Sequence, residues 1–165
     1  MSGALLTKLK EEHMDKQIFI SASYYKQKYY ANPQYEGLPA EIRNEMRVLC
    51  IMLAEKLHGI ITLGFYPNGD VFLNVTPEES DHEHDEIGAQ LEIKDVEKEN
   101  ADTFKKMKLW YLMYQTNYGE LFRETLTLFH TEKKSASEIV EILCSKYGEA
   151  VKDTIEEIIE TIEDS

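Results

Sequence analysis

The stretch EESDHEHDE, residues 78–86, gathers six carboxylates, two imidazoles and one hydroxyl. Oxygen and nitrogen donors of this kind bind divalent cations, so Asp81, His82, His84 and Asp85 are the candidate metal ligands. Their spacing argues against a built site. His82 and His84 are two residues apart and would diverge by about 200° on a helix. On a strand they would share a face, but the run has no β character. Thiolates are missing nearby, as is an HExxH arrangement or a calcium loop with its central glycine. The competing reading is a hydrated acidic connector entering a helix, where Asp85 and Glu86 favour the N-terminal dipole. No cofactor is expected.

A second cluster is aromatic. Tyr24, Tyr25, Tyr29, Tyr30 and Tyr35 accompany Lys26 and Lys28. Stacking on nucleobases would use such residues, and so would packing at the edge of a core. Where they are exposed, a protein partner suits them best, because tyrosine favours interfaces. Trp110 joins this group: LWYLMY, residues 109–114, is apolar nearly all round and needs cover. Nucleophilic catalysis finds no GxSxG, P-loop or GxGxxG. The histidines are scattered, and Cys50 and His58 are two helical turns apart, too far for a dyad. The reading leans away from an enzyme. A metal-dependent enzyme or sensor built on residues 81–86 is the alternative.

Those residues must be held by a chain of 165 residues, enough for one core and a helical appendage. Net charge is −13, and residues 81–165 carry 21 carboxylates against 10 basic side chains. That balance disfavours nucleic acid and anionic membranes, leaving a protein partner or a homodimer. Cys50 and Cys144 sit at helical spacing among apolar residues and read as buried, reduced thiols. The longest apolar run, 48–54, is far short of a membrane span, and the N-terminal residues lack a signal-peptide core. A cytoplasmic protein is expected.

The apolar periodicity predicts an α+β fold. QIFIS, 17–21, reads as a strand. SYYKQKYY, 23–30, reads as one or two helical turns, because tyrosines recur four apart before Asn32-Pro33. A helix runs over 39–58, with Pro39 in its first turn, a stripe from Ile42 to Leu57, and Gly59 as C-cap. Two alternating runs flank Asn68-Gly69, which predicts a β-hairpin over 60–76. Residues 87–93 fit either strand or helix. One long helix is expected from about Asp85 or Asp95 to Thr116. Further helices follow: Ser135 and Glu138 form a capping box, and a last acidic helix should fray at its end unless something basic caps it. The small antiparallel sheet, hairpin 60–76 with strand 17–21 as a candidate third member, packs on helices. The domains are an α+β core, 1–116, and a helical extension, 117–165, packed on it.

YYKQKYYANPQYEGLPAEIRNEM, then VLCIMLAEKLHGIITLGFYPNGDVFLNV and DEIGAQLEIKD, resemble a clostridial domain-of-unknown-function family over about residues 18–114. The resemblance implies a bacterial cytosolic protein and no assigned activity. The tail KKSASEIVEILCSKYGEAVKDTIEEIIETIE is similar in rhythm to the helical half of PqqD-like peptide-binding modules, although that family's N-terminal strands are not evident.

Overall fold

The computed structural model describes residues 16–77 and 85–164. The fold is α+β. Four antiparallel strands, β1 (Gln17–Ser23), β2 (Lys28–Ala31), β3 (Ile60–Phe65) and β4 (Val71–Thr76), lie in the order β2-β1-β3-β4. The described residues also hold six α-helices: α1 (Ala40–Leu57), α2 (Glu86–Glu99), α3 (Ala101–Tyr114), α4 (Gly119–Leu126), α5 (Ala136–Tyr147) and α6 (Lys152–Glu163). They fall into two compact units. Residues 16–66 and 70–107 form a sheet unit; residues 67–69 and 108–164 form a helical unit.

In the sheet unit the expected β3–β4 hairpin forms in register from Ile60↔Thr76 to Phe65↔Val71. Tyr66 N–H donates to the Asp70 carbonyl at 2.8 Å, and Gly69 takes a φ of 89°, which a side chain would resist. Gly64 answers a different demand. β1 shifts register between Ile18 and Ile20, and a Cβ at Gly64 would collide with the Gln17 carbonyl and the Phe72 ring.

The tyrosine segment departs from the expected helical turns. Residues 24–27 are a turn, and β1 and β2 make a second hairpin, paired from Ile20↔Ala31 to Ser23↔Lys28. The turn is closed locally. Ser23 Oγ accepts from Lys26 N–H at 3.2 Å, the Gln27 amide donates to the Tyr24 carbonyl, and Gln27 takes a φ of 51°. Tyrosine also suits strands, and pairing with β1 outweighs the four-residue spacing. β1 accordingly runs to Ser23 rather than ending at residue 21.

Helix α1 packs on β1 and β3, and α2 on β4. Lys56 Nζ and Glu92 Oε1, 2.7 Å apart, link the two helices. Met46, Cys50 and Leu53 are buried on α1, and Phe19, Tyr35 and Phe65 form a ring cluster with centroids 5.3–6.4 Å apart. Two helix boundaries differ from expectation. Pro39 lies just before the helix as its N-cap, and His58, not Gly59, ends it in the left-handed region, with φ 50°. His58 is held there by a parallel stack on Tyr24, 4.3 Å between ring centroids.

Residues 87–93 are helical, in α2. The single long helix is instead two. Asn100 takes a φ of −107° between α2 and α3, and its side-chain amide donates to the Val96 carbonyl at 2.9 Å. Asparagine competes in this way for helix backbone groups, which interrupts an otherwise continuous apolar stripe.

In the helical unit, Leu112, Phe122, Ile158 and Ile162 form one buried cluster, and Ile139, Leu143, Cys144, Ile155 and Ile159 another. Half of the expected capping box forms: Glu138 N–H donates to Ser135 Oγ at 3.2 Å, but the Glu138 carboxylate accepts from the Ser135 hydroxyl at 3.1 Å rather than from its backbone N–H. Despite the acidic end, α6 continues to Glu163, because Ile158, Ile159 and Ile162 are anchored in those clusters. No described helix is long and apolar enough to cross a membrane.

Candidate functional site

The β1–β2 hairpin leaves β2 at the edge of the sheet, and all four of its residues are exposed. Its hydrogen-bonding direction can be read from its flanks. Asn32 N–H donates to the Phe19 carbonyl at 2.8 Å, in register with the ladder, so the alternation of an antiparallel pair aims the backbone of Lys28 and Tyr30 at β1. Tyr24 N–H donates to the Gly59 carbonyl at 3.1 Å, which aims the even residues of β1 toward β3 and agrees with this phase. The N–H and C=O groups of Tyr29 and Ala31 therefore point outward, along an edge that no other described strand covers.

Side chains on β2 alternate between faces. Tyr29 turns toward α1, where the Arg47 guanidinium lies 5.9 Å from its ring centroid. Tyr30 turns to the opposite face and is 55% exposed. Tyr29 also divides two hollows between β2 and α1. One, of about 160 Å³, is lined by Ala31, Asn32, Glu36, Arg43, Asn44 and Arg47 among others. The smaller, about 100 Å³, reaches toward Lys28, Ile51 and Glu55. Arg43 Nε donates to the Leu38 carbonyl at 2.9 Å, which holds the arginine across the hollow. Neither Arg43 nor Arg47 forms an ion pair with a described residue.

The five tyrosines are not one patch. Tyr25, Tyr29 and Tyr30 are exposed, and Tyr24 is half-buried on His58 and edge-on to Tyr25. Tyr35 does not belong to a partner surface: it is 0% exposed and packs on Phe19 and Phe65. Its place in a short 3-10 turn after Asn32-Pro33 folds it inward; Asn32 Oδ1 accepts from Gln34 N–H at 3.0 Å and its amide donates to the Ile18 carbonyl at 2.9 Å. Trp110 lies in the helical unit, half-buried beside Tyr114 at 5.8 Å. The two arginines were missed from the sequence. Their four-residue spacing on a helix, in RNEMR, is the signal that could have found them.

Of the candidate metal ligands, Asp81, His82 and His84 lie outside the described residues. Asp85 is the N-cap of α2, its carboxylate accepting from Gly88 N–H at 3.0 Å. Among the described residues no three His, Cys, Asp or Glu side chains converge. Cys50 is closed to nucleophilic work, since burial pushes its thiol up to about 12.

The helical unit holds a broader groove of about 330 Å³, lined by Arg123, Glu124, Thr127, Leu128, Ile142 and Lys146 among others. At its rim Glu124 accepts from Lys146 and from the Tyr147 hydroxyl, the latter at 2.6 Å. Those bonds hold the Glu124 carboxyl below its ordinary range. Residues 127–131 beside it wind as a π-helix.

Residues 16–119 match the family of unknown function DUF6145. The chain belongs to that family. The DUF6145 match takes in the whole sheet, both hollows and α1 to α3, and stops where α4 begins. No curated protein and no solved structure matches the chain.

Proposed function

We propose that this chain is a non-enzymatic protein-interaction module, working in the cytoplasm of a clostridial bacterium, whose docking surface is the outer edge of β2 with Tyr25, Tyr29 and Tyr30 around it. The observation that carries this reading is the outward-facing backbone of Tyr29 and Ala31. An open sheet edge is a template for another strand. Here the edge carries tyrosines, which supply rigid amphipathic contact area. Tyr30, 55% exposed, stands where an added strand would lie against it. Lys28 gives the edge some protection from uncontrolled pairing. The partner is a protein segment or a second copy of the chain, with neither nucleic acid nor membrane involved, in keeping with a net charge of −13. The PqqD-like rhythm of residues 133–163 fits the same class of work, peptide binding.

A photo-crosslinking amino acid placed at position 30 in cells tests this. The expected result is a discrete crosslinked protein species, absent when the probe sits at exposed Asp102. Equal, diffuse labelling from both positions would overturn the reading.

A further inference from the structure

The β2 edge and the hollow beside it have a chemistry that narrows what can dock. Arg43 and Arg47 are one helical turn apart on α1, line the same hollow, and lack an ion pair with any described residue. The Leu38 carbonyl fixes Arg43 and the Tyr29 ring backs Arg47, so both guanidinium groups are pre-positioned rather than loose. The two hollows are lined by three basic side chains, Lys28, Arg43 and Arg47, against two carboxylates, Glu36 and Glu55, in a chain whose net charge is −13. This is a local reversal of charge, and it sits at the open edge. Tyr30, on the other face of β2, offers an apolar surface.

We infer that β2 takes an extended acidic peptide segment of another protein as a fifth strand, with its carboxylates over Arg43 and Arg47 and its alternate, apolar side chains against Tyr30. The inference rests on the reading of β2 as a docking edge and adds the chemistry of the occupant. Backbone groups of Tyr29 and Ala31 supply the ladder bonds. A strand's two-residue period then sends every second side chain toward α1, where charge-assisted bonds to arginine select aspartate and glutamate. Glu36 and Glu55, which line the hollows, repel a carboxylate placed out of register, so the arginines set position as well as sign.

The test uses the full chain and three short fluorescein-labelled peptides in which valine alternates with glutamate, glutamine or lysine. Fluorescence anisotropy should show the glutamate peptide bound and the lysine peptide not. Arg47→Gln should weaken the glutamate peptide by about tenfold, the worth of one charge-assisted bond, and Arg47→Lys should restore part of the loss. Ala31→Pro removes an outward N–H without breaking a bond to β1, so it should abolish binding while circular dichroism and melting stay near wild type. Arg43 is left intact because it also holds the Leu38 carbonyl. Equal binding of the glutamate and glutamine peptides overturns the acidic specificity. Unchanged binding in Ala31→Pro overturns strand addition. A concentration-dependent dimer, seen by sedimentation and lost in Ala31→Pro, overturns the peptide in favour of a second copy. Failure of all three peptides, with a crosslink still formed from position 30, rejects the acidic peptide and leaves the docking edge standing; failure of that crosslink rejects the edge itself.

Discussion

Tyr30 and Tyr35 are five residues apart and do opposite work. Tyr30 is 55% exposed on an edge strand, whereas Tyr35 is fully enclosed between Phe19 and Phe65. Truncating a buried aromatic side chain costs about 3–5 kcal/mol, and an exposed substitution about 0.5 kcal/mol or less. Urea titration of Tyr35→Ala should therefore show a large loss of stability, and of Tyr30→Ala almost none. Cys50 gives a second expectation at this scale. Burial raises its thiol to about 12, so at pH 8 it should resist a thiol reagent until the sheet unit opens. Labelling at the rate of a free thiol in the native protein would contradict that burial. The sequence made Cys50 legible as buried, because its helical spacing among apolar residues is unambiguous. It did not separate Tyr35 from its neighbours, because inward and outward tyrosines have the same composition and only the Asn32-Pro33 turn reverses the direction. Arg43 and Arg47 were as visible as any residue, yet their chemistry depends on a strand edge that only pairing reveals.

At the scale of elements, a segment with one local signal follows it, and a segment with competing signals is decided by its tertiary partner. Asn68-Gly69 between alternating runs has one outcome, a tight hairpin, and it forms. Ser135 and Glu138 likewise cap α5. The segment 23–30 carries a helical spacing of tyrosines and a strand's composition at once, and partnership with β1 decides it. Asn100 breaks a stripe that is apolar on both sides of it, which periodicity alone does not register. The caps carry measurable weight. Ser135→Ala should destabilise the helical unit by about 1 kcal/mol in chemical denaturation, with Ser135→Asp close to neutral. The α4–α5 contact adds a pH dependence. Bonds from Lys146 and Tyr147 depress the Glu124 carboxyl, so their stabilisation is complete above the ordinary carboxylate range and fades as pH falls through the depressed value. Lys146 is raised by the same bond to Glu124, so its share is lost again as pH climbs above the ordinary lysine range. Melting curves of Glu124→Gln should show a shallower acid limb than the wild type. Superimposable acid limbs would remove Glu124 from the account.

For the whole molecule, charge is the property that composition states most directly. Residues 119–164 hold twelve carboxylates against five basic side chains, and α6 ends on Glu163 with no basic residue in its last turn. Self-repulsion of this kind is relieved by screening. Raising ionic strength from about 0.01 M to about 0.15 M shortens the Debye length from about 30 Å to about 8 Å, and the melting temperature should rise. A fall would mean that attractive pairs outweigh the repulsion. The division into a sheet unit and a helical unit also has an optical side. The single tryptophan, Trp110, belongs to the helical unit, while six of the ten tyrosines belong to the sheet unit. Indole emission thus speaks for the helical unit alone, whereas phenol absorbance sums over both. The helical unit can therefore be watched by itself, without attaching a dye.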